Sequence, residues 1–424
     1  MSTEIIIALA VGIPGTIAAL IAIYEFFSHR RKKPTPVDPA TTPLTEETGR
    51  LIADRLGQIA EYLDGLPETK DKKIRRLFEQ GREAAKAYKY TEAINIYKAI
   101  LNLETTSREQ IALNILLGSC YLNLSKLDDA AGHYHLAEQI ARSINEKEGL
   151  AATLGNLGLV YRDKGELDKA LEYHLQALKI EIEIGNQSGH ANNLSGLGLV
   201  YKQKGELDKA LEHYKQALEI QKNIGDRLKQ ANLLGNLGII YRRKGELDKS
   251  LKYYQQSLKI AKEIGNLLQQ ALNLANMGNV YFQKGELDKA LQHYQQSQNI
   301  EIEIGYRLGQ ANNLCCLGSV YEQKGELDKA LDNFQQAFNI HQDIGSPLGQ
   351  AYDLFNMGNF YFHKGELDKA LGYCQQALEI FQQMGAKLEI EMAQQKIETV
   401  LKVKQNKLSI GTLDEKAHSI QKPG

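Results

Sequence analysis

The sequence predicts an all-α solenoid of antiparallel helix pairs preceded by one N-terminal transmembrane helix, and three observations predict it. The segment Lys-Gly-Glu-Leu-Asp-Lys begins at Lys164, Lys204, Lys244, Lys284, Lys324 and Lys364, a fixed spacing of 40 residues. A unit of that size cannot bury its own apolar face, so neighbouring copies must stack. Around each copy the apolar residues recur at steps of three and four, the period of a helix face. Near the N-terminus, Ile5 to Tyr24 forms an uncharged stretch of 20 residues, long enough as a helix to cross a hydrocarbon core of about 30 Å.

Taken in chain order, residues 1–33 read as a membrane anchor with a basic flank. His29, Arg30, Arg31, Lys32 and Lys33 follow the apolar stretch, whereas Met1 to Glu4 contain no Lys or Arg. The positive-inside rule then leaves the carboxyl side in the cytoplasm, as a single-pass membrane protein. A cleavable signal peptide would carry these charges in the opposite order. Pro14-Gly15 in mid-span is compatible with a membrane helix whose freed backbone groups find partners. Residues 34–45, with Pro34, Pro36, Pro39 and Pro43, cannot sustain a helix and read as a spacer. In the segment 46–73, Ile52, Leu56, Ile59, Leu63 and Leu66 make an apolar seam on one helix, ended by Pro67. The seam covers about two heptads, which suits packing on the first repeat and leaves oligomerisation through 52–66 as the alternative.

Eight units follow over 74–390, the first shorter than the rest. In residues 151–190, Leu154, Leu157, Gly158 and Tyr161 share one helical face, and Ala170, His174, Ala177 and Leu178 share a second. Gly165 and Gly185 stand where each helix must stop, because glycine takes the left-handed conformation without a Cβ penalty. The small residues Gly158 and Ala170 let the two backbones approach. An amphipathic helix over 391–405, with Ile397 and Leu401 inward, caps the stack, and 406–424 reads as a flexible tail.

The pattern of a large apolar residue, Leu-Gly, an aromatic, and later Ala, an aromatic and Ala resembles the tetratricopeptide repeat. In residues 231–270 the matching positions are Leu234, Leu237, Gly238, Tyr241, Ser250, Tyr254 and Ser257. The longer 40-residue unit looks like the variant in the LGN/Pins polarity proteins and, more distantly, in kinesin light chains. Asn-Leu-Gly at Asn156 and Asn236, and Asn-Met-Gly at Asn276 and Asn356, carry that comparison. The resemblance implies a right-handed superhelix whose first helices line a concave groove. The tail after 406 holds no G-protein regulatory motif, so that function does not transfer.

The resemblance places candidate peptide-binding residues on one stripe of the first helices, through Ala152, Gly155, Asn156, Leu159, Arg162 and Asp163. An amide both donates and accepts, so Asn156, Asn236, Asn276 and Asn356 would hold the backbone of an extended peptide without reading its sequence. Asn279 and Asn359 stand one turn further along the same helices. Amides that satisfy nearby helix ends or face solvent are the alternative. The next point of the stripe carries Arg162, Lys202, Arg242 with Arg243 beside it, then Phe282, Glu322 and Phe362. Such a groove would suit a ligand with an acidic segment followed by an apolar one; ordinary solvated charge is the competing explanation. The chaperone-tail clamp of the family needs lysine where this chain has Gly155 and Ser195, which argues against that receptor type.

Composition limits other functions. With 51 basic and 52 acidic residues the net charge is −1, so no global field recruits nucleic acid. Cys120, Cys315, Cys316 and Cys374 match neither a metal-ligand spacing nor a disulfide framework. His133, His174, His213 and His293 lie on second helices without a ligand arrangement, and His174 replaces the core aromatic found as Tyr214, Tyr254 and Tyr294. Cys315-Cys316 has no nearby cue for a catalytic base. No phosphate loop, dinucleotide fingerprint or nucleophile elbow is present, so no catalytic residue, metal or cofactor is expected. The repeated Glu166, Asp168 and Lys169 read as a capped, solvated start to the second helix. The expected function is a non-enzymatic, membrane-anchored scaffold that binds an extended peptide or partner protein, with a peptide-responsive regulator of a signalling enzyme as the alternative.

Overall fold

Helix starts and stops are written into each repeat. Gly165 ends a first helix at φ 80° and Gly185 a second at φ 74°, both in the left-handed region. The residue after the second glycine caps the next helix: the side chains of Asn186, Asp226 and Asn266 each accept from the backbone N–H three residues on. Earlier in the chain Thr106 and Glu109 form a reciprocal capping box, with the Glu109 carboxylate accepting from Thr106 N at 2.7 Å. Glu166 and its equivalents occupy the cap position of the second helix without making that bond. Their carboxylates are held by the lysine three residues later, as in Glu166 with Lys169 at 2.6 Å. The expected side-chain cap is therefore absent there.

A computed structural model of the chain describes residues 72–86 and 89–420. Its helices are α1 Lys72–Lys86, α2 Tyr90–Leu101, α3 Ser107–Asn123, α4 Leu127–Ser143, α5 Lys147–Lys164, α6 Leu167–Ile184, α7 Gln187–Lys204, α8 Leu207–Ile224, α9 Arg227–Arg243, α10 Leu247–Glu263 and α11 Leu267–Gln283. These are followed by α12 Leu287–Glu303, α13 Arg307–Gln323, α14 Leu327–Asp343, α15 Pro347–His363, α16 Leu367–Met384 and α17 Lys387–Ile420. The last runs well past the expected capping segment 391–405. The described helices fall into two units, α1–α11 up to Lys284 and α12–α17 from Gly285. Within each unit consecutive helices pack on one another, and in the first unit α5 also touches α7, and α9 touches α11.

The architecture is an all-helical repeat solenoid, and the expected transmembrane helix is not part of it. Among the described residues no helix is long and apolar enough to cross a membrane. The physical reason is visible in α6, where Asp168, Lys169, Glu172, Lys179, Glu181 and Glu183 interrupt the apolar face. The stretch Ile5–Tyr24, the linker 34–45 and the seam 52–66 lie outside the described residues. The membrane anchor and the membrane localisation are accordingly not retained.

The core is built from the repeat positions themselves. Tyr97, Tyr134, Tyr214 and Tyr254 are fully buried in the first unit, and Phe334 in the second. Each sits against a glycine of the preceding helix: a Cβ on Gly198 would stand 2.7 Å from the Tyr214 ring, and one on Gly318 2.6 Å from Phe334. The first-helix tyrosine has a different task. Tyr161 stacks on Tyr173 at 5.2 Å between ring centroids, Tyr241 on Tyr253 at 5.1 Å and Tyr361 on Tyr373 at 5.3 Å. A lysine of the repeated motif also lies over this ring, as Lys169 does over Tyr161.

The repeated charges tie neighbours together. Lys204 donates to Asp168 at 2.6 Å and Lys284 to Asp248 at 2.8 Å, each pair 36 residues apart. Lys164 with Asp128, Lys244 with Asp208, and Lys324 with Asp288 continue the series inside the units.

Candidate functional site

The first helices α5, α7, α9 and α11 of the first unit present one face that neighbouring helices only partly cover. Ala152, Gly155 and Leu159 on α5 are half-buried, as are Asn192, Ser195 and Leu199 on α7, and Asn236 and Ile239 on α9. On α11, Ala275, Asn276 and Gln283 are half-buried. These positions fall at steps of three and four, so they form one stripe on each helix.

Several polar atoms beside this stripe are buried without a hydrogen-bond partner among the described residues: Asn156 Oδ1, Asn192 Nδ2, Gln203 Oε1, Asn232 Oδ1 and Arg242 Nε. All five lie on first helices of three successive repeats. Asn156 uses its Nδ2 to reach Ala152 O at 2.9 Å, which fixes the amide and leaves its oxygen without a bond. A buried polar atom left in that state costs about 1–3 kcal/mol, so a ligand or water that completes it is favoured.

The expected site residues divide between this stripe and the core. Asn236, Asn276 and Asn359 are half-buried and Arg243 is exposed, whereas Asn156, Asn279 and Asn356 are buried. Arg162, Lys202 and Arg242, expected on an exposed cationic stripe, are 1%, 7% and 9% exposed. Arg162 is bonded through Nη2 to the buried Asp163 at 2.7 Å. Their position points about 80–120° away from the amide face. Phe282 is likewise buried, at 3% exposed. Phe362 is half-buried, with the Lys396 ammonium 3.9 Å from its ring centroid, and burial pushes the Lys396 pKa down. The expected change from cationic to aromatic character along one groove is therefore replaced by a stripe of amide and small apolar side chains.

Of a second set of polar residues, His174 alone was legible in the sequence, as the residue that replaces the core tyrosine. His174 is 2% exposed, and its Nδ1 lies 3.2 Å from Asn193 Oδ1 between α6 and α7. In the second unit Glu301 accepts from Asn313 Nδ2 at 2.7 Å. The Asp353 carboxylate receives Cys315 Sγ at 2.6 Å and meets His341 Nδ1 at 2.6 Å, all three buried. Burial raises the Asp353 pKa, against the lowering influence of His341 and of the Cys315 bond. The His174, Glu301 and His341 contacts join a second helix to the following first helix, the Cys315 contact joins the first helices α13 and α15, and all are buried, so they specify packing. For Glu301, Asn313, His341 and Asp353 the signal in the sequence was that polar residues stand at positions where other repeats carry Ala261, Leu233 or Phe381.

Among the described residues no cluster of three or more His, Cys, Asp or Glu is placed to hold a metal ion. The four cysteines are free and buried.

A search by sequence among curated proteins finds no match. Two family profiles do: Tetratricopeptide repeat over residues 109–181 and 189–263, and MalT-like TPR region over 265–410. Among solved structures, the apo form of the quorum sensor NprR from B. thuringiensis matches at TM-score 0.62 and 15% identity, over 78% of this chain and 99% of that one. A Signal Transduction ATPase with Numerous Domains (STAND) protein with a tetratricopeptide repeat sensor, PH0952 from Pyrococcus horikoshii, matches at TM-score 0.59 and 17% identity, over 81% of this chain and 55% of that one. A Rap protein complexed with Competence and Sporulation Factor matches at 0.51 and 12%, over 78% and 98%. At these identities the structures speak to the fold, and with the two profiles covering the helices just described, the chain belongs to the tetratricopeptide-repeat proteins.

Proposed function

We propose that this protein is a binding module that holds an extended polypeptide along the first helices of the first unit. The observation that carries the reading is the set of buried amide atoms without partners on three successive first helices, Asn156 Oδ1, Asn192 Nδ2 and Asn232 Oδ1. They include both acceptors and a donor, which is what a peptide backbone requires. The half-buried Leu159, Leu199 and Ile239 beside them offer apolar area for alternate side chains. Asn236 and Asn276, from the expected ladder, join this surface; the buried cations do not.

The test is a display screen of random extended peptides against the full chain, repeated with Asn156→Ala, Asn192→Ala and Asn232→Ala together. Peptides retained by the parent and lost from a folded triple variant support the reading. Equal retention by both proteins sinks it.

A second reading, a sensor that passes peptide binding on to a signalling partner, draws on the names of two structures that share the fold, the quorum sensor NprR and the tetratricopeptide repeat sensor PH0952. It predicts a change in hydrodynamic radius when a peptide from that screen binds; an unchanged radius favours the simple binding module.

A further inference from the structure

A cleft of about 440 Å³ opens between α8 and α10, the second helices of two successive repeats in the first unit. Its floor is apolar and aromatic, formed by Leu218 and by Tyr241 stacked on Tyr253. Four ammonium groups surround it, those of Lys215, Lys222, Lys249 and Lys252, with Glu219 as the one carboxylate of the lining.

The repeats show which of these lysines the scaffold requires. Lys249 belongs to the repeated motif, where it pairs with Glu246 and covers Tyr241. Lys222 is offset by Glu219 at 3.4 Å. Neither Lys215, whose ammonium stands 6.0 Å from the Tyr241 ring centroid, nor Lys252 belongs to the repeated motif. At the position of Lys215 the other full repeats carry His135, Leu175, Gln255, Gln295, Gln335 and Gln375. At the position of Lys252 they carry Gly132, Glu172, Glu212, Gln292, Asp332 and Gly372. Both substitutions place a cation where the array elsewhere has a neutral or acidic residue, and both fall on the same cleft. Lys215 and Lys252 are exposed, so their charge is available to a partner.

We infer that this cleft is a docking site for an acidic segment of a partner polypeptide, separate from the amide stripe on the first helices. Carboxylates of the segment would pair with Lys215 and Lys252 on opposite walls, while an apolar side chain between them rests on Leu218 and the Tyr241–Tyr253 stack. Partly desolvated charge pairs over an apolar floor give orientation and a fast, salt-sensitive encounter. An acidic ligand segment is also what the buried Arg162, Lys202 and Arg242 were expected to meet; the cations able to do so stand on the second helices instead.

The experiment uses the full chain and a fluorescein-labelled peptide of alternating glutamate and leucine, read by fluorescence anisotropy. Its control is the same peptide with glutamine for glutamate. Lys215→Gln with Lys252→Gln restores at the first position the residue most repeats carry there and at the second the one Gln292 represents, so the fold is kept. The expected result is binding of the glutamate peptide, weakened about tenfold in the double variant and further by added salt. Every protein compared also carries Asn156→Ala, Asn192→Ala and Asn232→Ala, so that backbone binding by the amide stripe does not contribute and the signal reports the cleft alone. Equal affinity in parent and double variant overturns the proposal, as does equal binding of the glutamine peptide. So does binding of vesicles containing phosphatidylserine that depends on Lys215 and Lys252 while the glutamate peptide does not bind.

Discussion

Tyr214 lies against Gly198 so closely that a Cβ at residue 198 would stand 2.7 Å from the ring. The contact joins α7 to α8 in the middle of a repeat, where Tyr214 is fully buried. Gly198→Ala must push the ring or the helix aside, and overpacking of this kind costs about 1–3 kcal/mol. Gly132 on α4 is a helical glycine with nothing within 4 Å of a Cβ, so Gly132→Ala is expected to gain about 0.5–1 kcal/mol from helix propensity alone. Urea unfolding followed by circular dichroism should therefore move the midpoint in opposite directions. Movement in the same direction would show that packing against Tyr214 is not what requires glycine.

The lysine–aspartate pairs between repeats act as a set. Each is exposed on its aspartate side, and the Lys204 pKa is raised chiefly by its hydrogen bond to Asp168. Single exposed pairs contribute little and are screened by salt. The triple change Asp168→Asn, Asp208→Asn and Asp248→Asn should lower the unfolding temperature at low ionic strength. In 1 M salt, where the Debye length falls to about 3 Å, the gap to the parent should close. A gap that persists there would mean that hydrogen bonding rather than charge holds the repeats in register.

Asp353 gives the fold a pH dependence of known sign. Its carboxyl is pushed above its usual value of 3.8 by complete burial. A raised folded pKa contributes stability that is present in full below the unfolded value and is lost as pH rises through the folded value. Asp353→Asn preserves the shape and the bonds to Cys315 and His341 while removing the ionisation. Relative to the parent, the variant should therefore be more stable at pH 8 than at pH 4, measured by urea unfolding at both. The same difference at the two pH values would locate the shift elsewhere.

All four thiols are buried, and burial pushes Cys120 up to about 12 and Cys374 up to about 11. The thiolate is the reactive form, so Ellman's reagent should label the native chain far more slowly than the urea-unfolded chain, which should release four equivalents. Rapid labelling of the native protein would contradict the packing of α3, α13 and α16.

Much of the scaffold is determined by the sequence alone. The 40-residue period and the stops at Gly165 and Gly185 follow from helical periodicity and from the conformations open to glycine. Those are local properties, and each copy repeats them. The first-helix positions of Asn236 and Asn276 were legible for the same reason. What tertiary structure decided is which part of each helix stays open. Adjacent positions on a helix differ by about 100°, so the rotation at which one repeat settles on the next separates a surface from an interface. That rotation covers Arg162, Lys202 and Arg242, leaves Asn156, Asn192 and Asn232 with amide atoms unbonded, and brings Lys215 and Lys252 from two different helices to one cleft. It depends on side chains from neighbouring copies packing together, among them His174 with Asn193 and Asp353 with His341 and Cys315, and a periodic pattern within one copy carries no record of them.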